Sequence, residues 1–288
     1  MHVIRQAAVL GHPISHSRSP ALHRAAYAQL GSDITYRAID VDRENLWSFM
    51  QQVGLEPNWV GLSVTMPLKI AMVAELDEVI GVAADLGVVN TVTFEAGPQG
   101  IRRVGSNTDV RGIVRALEYA GAPAAPDAVI LGGGATAAAA VAALRELGCD
   151  SAAVYLRDVA RATEPLKAAA AVGLSLSVHP LSKAAMAMSN ASVVISTLPA
   201  GAADFLGEDL SRAGSGSPGV LLDVAYDPWP STLAQAWSAG GGTVVPGLEM
   251  LLYQAVEQVA AFTRLGECMD TAVIDVMCDS VGLPRRVL

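Results

Sequence analysis

A chain of 288 residues is long enough for a buried core and for one or two domains. Hydrophobic residues make up 52% and aromatics only 5%, so the apolar mass is mostly Ala, Val and Leu. A net charge of −9 argues against nucleic acid or an anionic membrane surface as partners, and leaves any small anionic substrate to be held by local donors.

The opening "MHVIRQAAVLGHP" has an apolar core too short for a signal peptide, which points to the cytoplasm. Apolar runs at 7–10, 36–41, 59–64 and 88–94 read as strands. Between them, Pro20–Leu30 reads as a helix capped by Ser19, with Pro20 at its first position. Glu44–Val53 reads as a second helix ending before Gly54, and Pro67 as the opening of a third towards Leu76. Asp109 is placed to cap a helix that reaches Tyr119. The segment "GAPAAP" (121–126) reads as a joint between domains.

Beyond it, "AVILGGGATAAAAVAALRELG" is a strand, a glycine turn and a helix, followed by a strand at "AAVYLR". "RATEPLKAAAA" is a helix whose start Pro165 can shift. "LSLSVHP", "ASVVISTLP", "GVLLDVAY" and "TVVPG" supply further strands, and 249–281 reads as two helices. Such alternation predicts an α/β fold of parallel units with helices on both faces. The charge-free runs 128–144 and 184–203 are broken by Gly, Ser, Asn, Thr or Pro, so neither suits a membrane span. Cys149, Cys268 and Cys278 show no ligand spacing and are expected to pack as small hydrophobes in a reducing compartment.

The glycine turn carries the first chemical prediction. Gly132 permits the tight turn, Gly134 lets backbone approach a pyrophosphate, and Ala137 and Ala138 let the helix pack closely behind it. In a strand–turn–helix context this predicts a dinucleotide site. At the end of the next strand stand Leu156-Arg157-Asp158, with Arg161 shortly after. Two arginines suit the 2′-phosphate of NADP; Asp158 between them suits the ribose hydroxyl of NAD.

Polar residues collect at predicted strand and helix ends in the first half. Ser15, Ser17 and Ser19 lie in one loop, where a pair of hydroxyls could hold a carboxylate, although Ser19 would serve equally as a cap. His12, His16 and His23 lack partners at ligand spacing and read as loop and helix-surface residues, so no metal site is expected. Thr65, Lys69, Asn90, Asn107 and Asp109 form a set of donors and acceptors with one Lys–Asp pair. Lys69 is one of only three lysines against sixteen arginines. Arg would serve as a surface charge, whereas Lys can give up and retake a proton, as reduction of a carbonyl and its reversal require.

In order along the chain, "GHPISHSRSPALH", "SVTMPLK", "VVNT", "SNTD", "GGGATA", "LRDVARA", "STLPAG", "DVAYDPWPSTL" and "GLEMLLYQA" resemble the motifs of the shikimate dehydrogenase family, from about Gly11 to Gln258. The resemblance implies NADPH-dependent reduction of 3-dehydroshikimate to shikimate on the route to aromatic amino acids, with Lys69 and Asp109 as the catalytic pair. It implies substrate contacts from Ser17, Ser19, Thr65, Asn90, Asp109, Tyr226 and Gln254. Cofactor contacts would come from Gly132, Gly133, Gly134, Ala135, Thr136, Arg157, Arg161, Val224 and Gly247. The implied architecture is an α/β substrate domain (1–109), a Rossmann NADP-binding domain (110–247) and C-terminal helices (248–288) returning to the first domain, with substrate in the cleft between them. A monomer or homodimer, with no metal, is expected.

Leu156 stands where the family usually has Asn, and Asp158 where it usually has Thr, which keeps NAD open as cofactor. Retention of both serines resembles shikimate-specific members more than quinate-using relatives. Two alternatives remain at this point: an NAD-dependent quinate/shikimate dehydrogenase, and a catalytically retired relative that senses a ligand.

Overall fold

A computed structural model describes residues 4–97, 100–213, 219–266 and 269–286, so Cys268 lies outside the described residues. The chain divides into two compact units: Met1–Thr108 with Gln254–Leu288, and Asp109–Tyr253.

The first unit contains β1 (Arg5–Gly11), α1 (Ser19–Gln29), β2 (Ile34–Asp40), α2 (Leu46–Leu55) and β3 (Trp59–Val64). These are followed by a 3-10 turn at Ala71–Glu75, β4 (Glu78–Val79), α3 (Val82–Leu86), β5 (Thr91–Gly97) and β6 (Gly100–Ser106). The strands form one sheet in the order β2-β1-β3-β5-β6-β4. Parallel pairing holds for β1 with β2 and β3, but β5 runs antiparallel to both β3 and β6. β4 also pairs parallel with β6, so the expectation of parallel units holds in this half except at β5. The β6 segment "GIRRVGS" is mostly polar, with Arg102 and Arg103 paired to Glu78 and Asp77, and carries no apolar run to betray a strand.

Two helical expectations also change. No α-helix opens at Pro67; a tight turn leads to the short 3-10 segment. The second helix continues through Gly54, whose missing side chain faces open space. Buried Leu10, Leu62, Val64, Leu68, Met72 and Val92 centre one core of this unit.

The second unit begins with α4 (Asp109–Tyr119), β7 (Ala128–Leu131), α5 (Ala135–Glu146), β8 (Ser151–Leu156) and α6 (Thr163–Val172). It continues with β9 (Ser175–Pro180), α7 (Ala184–Met188), β10 (Val193–Ser196), α8 (Asp204–Ala213), β11 (Val220–Asp223), α9 (Thr232–Ala239) and β12 (Thr243–Pro246). Pro165 sits in the first turn of α6, where its missing N–H costs no helical bond. All neighbouring strands pair parallel in the order β12-β11-β10-β7-β8-β9. This is the doubly wound arrangement, whose order reverses between β7 and β10. β7, β10 and β11 are buried along their whole length, as strands covered by helices on both faces must be.

The boundary between units falls inside α10 (Gly247–Thr263), and α11 (Thr271–Val281) belongs to the first unit, where it packs on α1. Gly61 of β3 lies against α10: a side chain there would run into the Phe262 ring.

Candidate functional site

In the first unit, the ends of β1 and β3 lie side by side. Thr65 N–H donates to the Leu10 carbonyl at 2.9 Å and His12 N–H to the Met66 carbonyl at 3.1 Å. A Cβ on Gly11 would approach Thr65 Cγ2 to 2.5 Å, so glycine lets these turns meet. The loop after β1 is moored to β2: His12 Nδ1 lies 2.6 Å from Asp40 Oδ1, and Asp40 Oδ2 accepts from Ile14 N–H at 3.2 Å. Hydrogen bonding with Asp40 raises the pKa of the exposed His12, and the same contact lowers that of Asp40.

Ser19 does not cap the helix. It is the first residue of α1, Arg18 occupies the cap position, and no side chain makes a capping bond. Ser17 Oγ instead accepts from Ser19 N–H at 3.3 Å; Ser17 is half-buried and Ser19 buried.

Lys69 is half-buried one residue beyond the fully buried Leu68. Its carbonyl accepts from Val89 N–H at 2.9 Å, which ties the lysine backbone to the segment carrying Asn90. Val88 and Val89 are buried but precede β5, because their groups serve this junction: Asn107 Nδ2 donates to the Val88 carbonyl at 3.0 Å. The Asn90 side chain is oriented without ambiguity. Thr108 N–H can only donate and lies 2.8 Å from Oδ1, so that atom is the amide oxygen. Nδ2 then donates to Thr108 Oγ1 at 2.9 Å and faces Gln254 Oε1 at 3.5 Å. Asp109, the next residue after Thr108, is buried and begins α4 itself, where the helix N-terminus favours a carboxylate.

Beneath Asn90 lies a buried polar cluster that sequence reading missed. Gln258, four residues after Gln254 and 1% exposed, donates through Nε2 to the Asn90 carbonyl at 3.1 Å and to Thr91 Oγ1 at 2.9 Å. Its Oε1 accepts from Ser63 Oγ at 2.6 Å and from His23 Nε2 at 3.3 Å. The Tyr36 hydroxyl donates to Ser63 Oγ at 2.7 Å. His23 is therefore not a helix-surface residue. It is fully buried, stacks on Tyr36 with 3.9 Å between centroids, and burial lowers its pKa to about 3, so the ring is neutral. Gln258 follows Gln254 by one helical turn, and that spacing was the available sequence signal.

In the second unit, the turn after β7 sits where the strand order reverses, the place at which open α/β sheets bind ligands. Gly132 has φ +109°, and a Cβ there would strike Thr197 Oγ1. Thr197 itself is locked, its hydroxyl and N–H each donating to the Leu131 carbonyl at 2.8 Å. Gly134 precedes α5, leaving Ala135 and Thr136 in the helix's first turn, where unpaired N–H groups suit a phosphate. Leu156 packs on the turn, since a Cβ on Gly133 would come within 2.6 Å of its Cδ2. Asp158 is turned to local use: its side chain accepts from Ala160 N–H at 3.1 Å, capping the short turn Val159–Arg161. Arg157 and Arg161 are exposed and make no ion pair among the described residues. This donor set fits a 2′-phosphate better than a free ribose hydroxyl.

At the end of β11, Val224 N–H donates to the Ser196 carbonyl at 3.0 Å, and a Cβ on Gly247 would overlap the Val224 carbonyl. The loop carrying Val224 and the half-buried Tyr226 is held by buried Asp223, which accepts from Ser231 Oγ at 2.6 Å and Ala225 N–H at 3.4 Å. Burial pushes the Asp223 carboxyl up. Thus Ser17, Ser19, Thr65, Lys69, Asn90 and Gln254 lie in the first unit, whereas Asp109, Tyr226 and the cofactor residues lie in the second.

A family model for the shikimate dehydrogenase substrate binding domain matches residues 9–92. The NADP(+) shikimate dehydrogenase of Moorella thermoacetica is 37% identical over 283 residues, covering 96% of this chain and 93% of that protein. The crystal structure of Mycobacterium tuberculosis shikimate dehydrogenase matches with TM-score 0.82 and 38% identity, over 96% of this chain and 99% of that one. Shikimate 5-dehydrogenase from Thermus thermophilus, in complex with NADP(H) and shikimate, matches with TM-score 0.76 and 31% identity, over 96% of this chain and 99% of that one. Fold and site define a two-unit α/β protein with a doubly wound dinucleotide-binding unit. By identity over nearly all of both chains, it belongs to the shikimate dehydrogenase family. Among the described residues, no helix is long and apolar enough to cross a membrane.

Proposed function

We propose that this chain interconverts 3-dehydroshikimate and shikimate with NADP(H). Bound NADP(H) supplies or accepts the hydride at the substrate's C3. Lys69 gives a proton to the nascent C3 oxygen on reduction and takes it back on oxidation, and Asp109 accepts a hydrogen bond that orients the exchange. Ser17 and Ser19 hold the ring carboxylate through their hydroxyls. Thr65, Asn90 and Gln254 read the ring hydroxyls, where a mispaired group is costly enough to reject close analogues. Tyr226 contacts the substrate, while the Gly132–Thr136 turn, Arg157, Arg161, Val224 and Gly247 hold the dinucleotide.

The observation that carries this reading is the junction in which the Lys69 carbonyl binds Val89 N–H while the next residue, Asn90, has its amide fixed towards Gln254. A proton-exchanging amine and two amides of set orientation suit a small polyhydroxylated ring. NADP rather than NAD is supported by the two exposed arginines, Arg157 and Arg161, and by the capping role of Asp158. The test follows nicotinamide absorbance with shikimate or quinate, each with NADP or NAD. Shikimate with NADP is expected to be fastest; faster turnover of quinate with NAD sinks the reading.

A further inference from the structure

The donors and acceptors around Gln258 follow from one group that has only one role. The Asn90 carbonyl can only accept, so the Gln258 atom 3.1 Å away is the amide nitrogen and the other is the oxygen. His23, facing that oxygen, carries its proton on Nε2, and its Nδ1 accepts from the Tyr27 hydroxyl at 3.1 Å. Thr91 Oγ1 receives from Gln258 Nε2, leaving its own hydrogen for Asn90 Oδ1 at 2.8 Å. The amide oxygen of Asn90 is thus held by Thr91 on one side and by Thr108 N–H on the other. Reversing Gln258 would set its oxygen against the Asn90 carbonyl, two acceptors face to face, and its nitrogen against the Nε2–H of His23. Gln258, His23, Ser63 and Thr91 are all buried, where such mismatches are costly.

We propose that Gln258 is a positioning residue: through Thr91 it fixes the Asn90 amide with its NH2 towards Gln254, and so sets which polar group the site offers to a substrate hydroxyl. The proposal rests on the assignment of Asn90 and Gln254 to the shikimate site. It adds a residue of α10 that acts only from behind. Tyr36 and His23 complete the relay by keeping Gln258 Oε1 turned away from Asn90.

The test compares Gln258→Met and Thr91→Val, each alone and in an Asn90→Ala background. Gln258→Met is expected to raise KM for shikimate about tenfold or more, because a misaligned first contact is expensive, with KM for NADP unchanged. In Asn90→Ala it should add nothing further, since residues acting as one unit are not additive. Thr91→Val removes a single link and should move KM in the same direction by less; it decides the matter if Gln258→Met does not fold. A Gln258→Met effect that persists in full without Asn90 overturns the proposal. So does one that lowers kcat alone with KM unchanged, as a mere loss of folded enzyme would. The Asn90 side-chain amide resonances of isotopically labelled enzyme report independently of turnover: they should shift in Thr91→Val, and unchanged resonances refute the relay. If the wild-type enzyme fails to turn over shikimate, the functional reading falls and these resonances still decide the positioning role.

Discussion

Lys69 is half-buried beside the fully buried Leu68, and its carbonyl is bonded to Val89 N–H, which fixes its backbone for the proposed proton exchange. Lys69→Ala should lose roughly 100- to 10,000-fold in kcat, the usual worth of a positioned acid–base group, while calorimetry still detects shikimate binding. Unchanged turnover would remove Lys69 from the mechanism. Arg157→Ala and Arg161→Ala should each raise KM for NADPH about tenfold or more, as loss of a charge-assisted contact does, and leave KM for NADH unmoved. Equal effects on both cofactors would argue against phosphate recognition. His23 links stability to acidity. Its folded pKa, about 3, lies below the ordinary 6.5, so between those values the unfolded chain binds the extra proton and stability falls as pH falls. From pH 6.5 to 5 this one group contributes a loss of up to about 2 kcal/mol. Urea melts of wild type and His23→Gln at pH 7 and 5 measure it; equal pH dependence in both would refute it.

Among elements, the glycine turn and β3 show how closely backbone is allowed to approach. Gly132→Ala forces a side chain onto Thr197 at φ +109° and should abolish NADP binding, measured by fluorescence, while shikimate binding to the first unit persists. Gly61→Ala meets the Phe262 ring and should cost about 1–3 kcal/mol by denaturant melts, as overpacking does. Apolar runs made most of the parallel strands legible in sequence, and the strand–glycine–helix order gave the doubly wound unit. The β5–β6 hairpin was not legible, because Arg102 and Arg103 replace an apolar run and find their partners on and next to β4. The Ser19 cap failed for a related reason: hydroxyl residues before a proline suit a cap, yet the turn placed Arg18 there. The pairing of His23 with Gln258 was not legible because each stands among other polar residues of its helix, Arg24 beside His23 and Glu257 beside Gln258, and only tertiary structure shows that the two face each other.

At the scale of the molecule, the first unit is assembled from two separated stretches of chain, 1–108 and 254–288, while 109–253 is continuous. The later stretch brings Gln258 to His23 and Ser63, Phe262 to Gly61, and α11 to α1. A chain ending at residue 253 should therefore leave buried polar groups unpaired and fail to protect the first unit from proteolysis, while 109–253 remains protected. Protection of 4–108 in that truncated chain would refute this.

The split inside α10 also sets an order of events on the ribosome. Residues 4–108 cannot complete their core until 254–286, made later, are free of the exit tunnel, whereas 109–253 already holds all it needs. The strands of the first unit thus wait, exposed, through the synthesis of an entire dinucleotide-binding fold.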